Sequence, residues 1–201
     1  DAVYTYPDNT HNKNYYLNLG GNHFVDDNLS IQGNMYYRHM ERRNYNGDEF
    51  EGKDCGLSFD GAAGAANNLL CGEFEAAGAG NGVSFLDAGG NTINYNNLGI
   101  SRGDENEMED AGAINRSNTK SDAFGFNLQS LFDSQLFEKN NTFIGGINYD
   151  FSKNSFGSST ELGIIQADRG VQGTGVFVVT DEEGEEQFVT DLESTTHNLA
   201  L

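Results

Sequence analysis

The amino-acid sequence predicts an all-β protein: an antiparallel, up-and-down segment of a transmembrane β-barrel, with about five strands, an incomplete barrel, and two long extracellular loops. Three observations predict it. Only 36% of the 201 residues are hydrophobic, with 26 Gly and a single Pro. That suits half-apolar strands joined by polar loops better than the long apolar faces of helical or α/β cores. The regular segments alternate with period two, which is strand and not helix. Short and long connections alternate between them, as in a barrel with one plain rim and one busy rim.

The elements follow in order. Strand 14–24 opens with Tyr15, Leu17 and Leu19 alternating with Tyr16, Asn18 and Gly20. A short turn at Asp26-Asp27-Asn28 leads into strand 29–44. There Leu29, Ile31, Gly33, Met35 and Tyr37 share one face, and Ser30, Gln32, Asn34, Tyr36 and Arg38 the other. The two form a hairpin. Residues 45–117 lack periodicity and are rich in Gly, Ala, Asn and acids; they read as the first long loop. Strand 120–133 sets Phe124, Phe126 and Leu128 against Gly125, Asn127 and Gln129. A polar connection at Glu138-Lys139-Asn140-Asn141 precedes strand 141–166, where Phe143, Gly145, Ile147, Tyr149 and Phe151 alternate with Ile144, Gly146, Asn148, Asp150 and Ser152. Residues 167–188 read as the second long loop, and 189–201 as a last strand. Polar faces are expected to line a wet lumen and apolar faces to meet lipid. A soluble β-sandwich alternates in the same way, but strands this long exceed the usual five or six residues. No fixed repeat points to a solenoid or propeller.

A formal net charge of −20 repels a polyanion, so nucleic acid is not expected as a partner. The acids cluster in 104–110 and in 181–193 (Asp181, Glu182, Glu183, Glu185, Glu186, Asp191, Glu193). Both runs read as solvated loops; the sharper alternative is weak divalent-cation binding, without the ligand spacing of a calcium hand. Cys55 and Cys71 have no nearby Cys or His to complete a metal site, and a local disulfide is expected, which implies an oxidising compartment. No run approaches the roughly 20 apolar residues of a membrane helix. The chain opens on Asp1 with no leader pattern, as an internal piece of a longer protein would.

Catalysis and bound cofactors are not expected. Gly78-Ala79-Gly80-Asn81-Gly82 lacks the flanking strand and helix of a phosphate loop. The histidines His11, His23, His39 and His197 are scattered. Recognition is the better expectation: Tyr36, Arg38 and Arg42 share a face of the second strand and suit an anionic, aromatic ligand through charge and stacking. The alternative is ordinary lumen lining, with the arginines paired to loop carboxylates.

At Tyr36-Tyr37-Arg38 and Gly125-Phe126-Asn127-Leu128-Gln129 the chain resembles the mid-barrel of TonB-dependent outer-membrane receptors. The likeness is closest over 140–170, in Asn141-Thr142-Phe143, Gly145, Tyr149-Asp150-Phe151-Ser152, Phe156, Glu161-Leu162-Gly163 and Asp168-Arg169. Tyr6-Pro7-Asp8-Asn9-Thr10 and Asn46-Gly47-Asp48 are similar too. The resemblance covers about half the chain. It implies a fragment of an active transporter in the outer membrane of a Gram-negative-type bacterium. It further implies contact with outer-membrane lipid, a bulky scarce solute such as a ferric siderophore, and an energy-transducing TonB system acting through an N-terminal part. The chain departs from the family in lacking the plug domain and the box that contacts that partner, and in strand number, since such transporters have about 22. A passive porin-type barrel and a secreted soluble β-rich adhesion protein are the alternatives.

Overall fold

The structure is a computed structural model and describes residues 5–56, 68–72, 83–103, 108–181 and 188–201. Its elements are β1 (Asp8–Phe24), β2 (Leu29–Glu49), β3 (Lys53–Asp54), β4 (Leu70–Gly72), β5 (Val83–Asp87), a 3-10 turn (Tyr95–Leu98), β6 (Ala111–Leu136), β7 (Lys139–Ile165), β8 (Val171–Asp181) and β9 (Thr190–Ala200). The fold class is the expected one: all-β and antiparallel. Hydrogen bonding runs β1-β2-β6-β7-β8-β5-β4-β3, with β9 also on β7. Among the described residues the pairing path begins at β1 and ends at β3 without joining them, so the sheet is an incomplete barrel.

Two hairpin connections of the second unit are tight. After β1, the Asp26 carboxylate accepts from the backbone N–H groups of Asn28 and Leu29 at 2.7 and 2.8 Å. Between β6 and β7 the turn falls on Phe137 and Glu138, both at positive φ (51° and 62°). Consecutive positive φ values make a two-residue hairpin turn whose twist matches its strands. The connection therefore lies earlier than the 138–141 expected.

The strands outrun the sequence reading where both faces are polar. β1 begins at Asp8 and not near 14; β6 begins at Ala111 and not near 120. Asn9-Thr10-His11-Asn12-Lys13 and Asn115–Lys120 carry no apolar alternation, but the backbone ladder does not need one. The segment 167–188 is not one long loop. A short turn at 166–170, closed by Arg169 N–H to Gln166 O at 2.7 Å, leads directly into β8. Glycines at 173 and 175 erase the alternation there, yet β8 pairs with β7 (Thr160↔Val178, Glu161↔Phe177, Gly163↔Gly173). The acidic residues 182–187 and 104–107 and the Gly78–Gly82 segment lie outside the described residues.

By contact density the chain forms two units: Asp1–His11, Arg43–Asn118 and Gly157–Asp191 make the first, and Asn12–Arg42, Thr119–Phe156 and Leu192–Leu201 the second. The first holds most of what was read as the loop 45–117. It is a packed substructure. Phe50, Leu70, Phe85, Ile93, Tyr95, Ile100 and Met108 bury against Ala111, Ala113, Leu162 and Val178. Full burial of a large aliphatic side chain contributes about 1.5–3 kcal/mol. Phe85 meets Phe50 and Phe188 edge-on at 5.3 and 5.4 Å. β5 adds to the edge of β8 (Phe85↔Asp181, Asp87↔Val178), and β4 and β3 follow. This covers an otherwise open strand edge.

The expected disulfide is present. Cys55 and Cys71 are bonded, with Cα atoms 5.2 Å apart and a sequence separation of 16. Closing a loop of this size removes unfolded-state entropy worth about 3 kcal/mol. Reduction, or the paired change Cys55→Ser/Cys71→Ser, is expected to lower the stability of this unit by about that amount. Guanidinium unfolding with and without reductant, followed by near-UV circular dichroism, measures it.

Beside the disulfide sits Asp54, fully buried. Its carboxylate accepts from the backbone N–H groups of Gly56 (2.8 Å) and Asn68 (2.9 Å) and from the Tyr95 hydroxyl (2.6 Å). Tyr95 opens the 3-10 turn, which ends on Gly99 at φ 80°, a left-handed cap that glycine adopts without cost. Burial, then the Asp54 carboxylate, pushes the Tyr95 phenol from 10.0 up to about 12. A raised folded value means the neutral phenol is favoured in the fold. Its stabilisation is complete below pH 10.0 and is lost as pH rises towards about 12. Alkaline unfolding of the wild type is expected to steepen across that window, and Tyr95→Phe to flatten the slope. Unfolding curves at several alkaline pH values test this.

The start of β1 is anchored in the same unit. Tyr6 donates its N–H to Arg169 O (3.1 Å) and accepts from Val171 N–H (2.9 Å). Its hydroxyl donates to Asp168 at 2.7 Å, which with the Gly170 N–H holds that carboxyl below its usual range.

Candidate functional site on the polar face of the second unit

In the second unit, cross-strand contacts divide the side chains of β1, β2, β6 and β7 into two faces. One is apolar and open to solvent. It comprises odd positions of β1, β2 and β7 and even positions of β6. Leu17, Leu19, Met35, Phe124, Phe126 and Leu128 are all exposed there, from 40% for Phe126 to 58% for Met35. Phe124 packs on Phe151 at 5.1 Å, Phe126 on Tyr149 at 5.9 Å, and Phe151 on His197 at 5.0 Å. The apolar face is bordered by polar contacts. Asp122 accepts from the Tyr37 hydroxyl and meets His39 Nδ1, both at 2.8 Å; Tyr15 lies 6.0 Å from the His39 ring; Lys153 pairs with Glu193 at 3.5 Å.

The other face is polar and is the candidate site. Gln32 donates to Gln129 at 2.8 Å. The Tyr36 hydroxyl donates to Asp150 Oδ1 at 2.6 Å, across the intervening strand β6, and Asn148 donates to Asp150 Oδ2 at 2.8 Å. Gly125 makes that span possible. A Cβ there would lie 2.6 Å from the Tyr36 ring and 2.9 Å from Tyr149 O, closer than atoms pack. Tyr16 stands beside Tyr36, with ring centroids 6.5 Å apart.

The structure places Tyr36, Arg38 and Arg42 on this one face, as their spacing implies, with both arginines exposed. It does not gather them into one pocket: Tyr36 to Arg42 spans about 20 Å of extended strand. Sequence reasoning missed Asp150, Gly125, Gln129 and Tyr16 as partners of Tyr36 and Gln32. The signal was present in the alternation of each strand, but joining them needs the register across three strands.

Arg116 in the first unit is a structural ion pair. It donates to Glu161 at 2.5 Å and lies over the rings of Tyr45 (5.1 Å) and Phe177 (5.5 Å). Glu161 also accepts from the Gly175 N–H at 2.8 Å. Among the described residues no group of three or more His, Cys, Asp or Glu is placed to hold a metal. Among them, too, no helix is long and apolar enough to cross a membrane, which says nothing of strands.

No family model matches the chain, and no curated protein or solved structure matches it either. The likeness to TonB-dependent receptors rests on the residues quoted above.

Proposed function

We propose that this chain is part of the wall and rim of an outer-membrane active transporter of the TonB-dependent kind, taking up a bulky, scarce solute. One observation carries the reading: the second unit has a contiguous, exposed apolar face opposite a hydrogen-bonded polar face. Scattered exposed apolar side chains are ordinary on a soluble protein, but a large contiguous patch marks a surface meant to be covered. Aromatic and aliphatic side chains outward, and amides and hydroxyls inward, suit a strand between lipid and a wet lumen.

Strand length favours a receptor over a small porin. β2, β6 and β7 have 21, 26 and 27 residues, whereas crossing the hydrocarbon takes about 9–11. The surplus belongs to the first unit, which has its own core and disulfide.

Adjacent cysteine substitutions test the wall. With the native cysteines bonded to each other, Leu128→Cys and Gln129→Cys each carry the only free thiol. In lipid-reconstituted protein a membrane-impermeant maleimide is expected to label position 129 and spare 128. Equal labelling of both would sink the reading. Energy coupling separates active transporter from porin: uptake by cells expressing the encoding gene should stop when a protonophore collapses the inner-membrane gradient.

A further inference from the structure

Within the transporter reading, on which this inference rests, the chemistry of the polar face bears on the solute. Amides dominate it: Asn18, Gln32, Asn34, Asn127, Gln129 and Asn148. Each amide carries both donors and acceptors, so the Gln32–Gln129 bond leaves hydrogen-bonding capacity of both kinds on that pair. A hydroxyl is likewise donor and acceptor at once, and amides are its natural partners.

Charge points the same way. On this face of β1, β2, β6 and β7 within the second unit, the cations are Arg38 and Arg42 and the anions Asp133 and Asp150, so the face sums to zero. The carboxylates are committed. Asp150 accepts from Tyr36 and Asn148, and Asp133 accepts from the Thr142 hydroxyl at 2.6 Å. The chain as a whole carries −20. An anionic metal chelate is repelled by that net charge, against which this face sets Arg38 and Arg42.

Tyr16 supplies the third observation. It is 64% exposed on the same face, propped against the half-buried Tyr36. An exposed ring with a polar tip presents a flat apolar surface amid hydrogen-bonding groups. The C–H face of a pyranose has the matching form: apolar in the plane, hydroxylated around the rim.

We infer that the polar face of the second unit binds a neutral polyhydroxylated solute, an oligosaccharide. The amides take its hydroxyls and Tyr16 stacks on a sugar ring. An anionic ferric chelate is disfavoured.

The test uses the full chain in detergent micelles, titrated by calorimetry against two sets of probes. One is a panel of neutral gluco-, manno- and xylo-oligosaccharides; the other is ferric citrate and a ferric catecholate. Binding of a neutral oligosaccharide is expected, little changed by salt, and weakened several-fold by Tyr16→Ala and by Gln129→Leu. Far-UV circular dichroism of each variant should match the wild type, since Tyr16 is exposed. Salt-sensitive binding of a ferric complex without any neutral sugar overturns the inference, as does binding of nothing on either panel. The maleimide comparison at 128 and 129 is run on the same protein. If the alternation holds while the sugars fail, only the solute class falls; if the alternation fails, the transporter reading falls with it.

Discussion

If the proposed membrane wall holds, Leu128→Arg is expected to lower the stability of the protein in lipid by about 2–4 kcal/mol, the cost of a guanidinium on the lipid side of a barrel near the bilayer midplane. Leu128 is 49% exposed on the apolar face, between the polar border at Asp122 and the turn at Phe137-Glu138. Its neighbour Gln129 points to the opposite face, where a cation meets amides and water. Gln129→Arg is expected to change stability by no more than about 0.5 kcal/mol. Reversible urea unfolding from lipid vesicles compares the two. On a soluble sheet with the same exposure, both would be surface changes of similar small cost, so equal effects would refute a lipid-facing wall.

Asp54→Ala is the second large effect expected. The carboxylate is fully buried, and its donors include two backbone N–H groups and the Tyr95 hydroxyl. Truncation leaves them without that acceptor, at about 1–3 kcal/mol for each donor left unsatisfied. Tyr95→Phe removes one donor and leaves the two backbone bonds, so its cost should be clearly smaller. Both are measured by guanidinium unfolding with the disulfide intact. If Asp54→Ala costs no more than Tyr95→Phe, the carboxylate does not organise this corner. Asp54 also lies next to Cys55 in sequence, so these changes and loss of the disulfide act on one local structure and should not add.

The alternation of β2 was fully legible. Leu29, Ile31, Gly33, Met35 and Tyr37 do share one face, and Gln32, Asn34, Tyr36 and Arg38 the other, because side-chain direction in a strand follows from position alone. β7 was legible for the same reason. β8 was not: Val171-Gln172-Gly173-Thr174-Gly175 shows no period, since glycine has no side chain to alternate. The core of the first unit was also hidden. Phe50, Phe85, Ile93, Ile100 and Met108 come from short or irregular segments that each contribute one or two apolar residues, so no local window displays a pattern. The Cys55–Cys71 bridge was readable only because no other partner was offered.

At the candidate site the sequence by itself determined which residues point the same way: Tyr36 with Arg38 and Arg42 on β2, Asp150 with Asn148 on β7. It also determined the polar character of that face and the apolar character of the other. Which residues meet across strands was decided only by tertiary structure. The tight turns at Asp26–Asn28 and Phe137-Glu138 fix the register of β1 on β2 and of β6 on β7, and the ladder between β2 and β6 joins the two hairpins. The missing Cβ of Gly125 then lets Tyr36 reach Asp150 over an intervening strand. Alternation is a property of one strand, whereas register belongs to the hydrogen-bond ladder between strands, and a slip of one residue would turn the polar face outward.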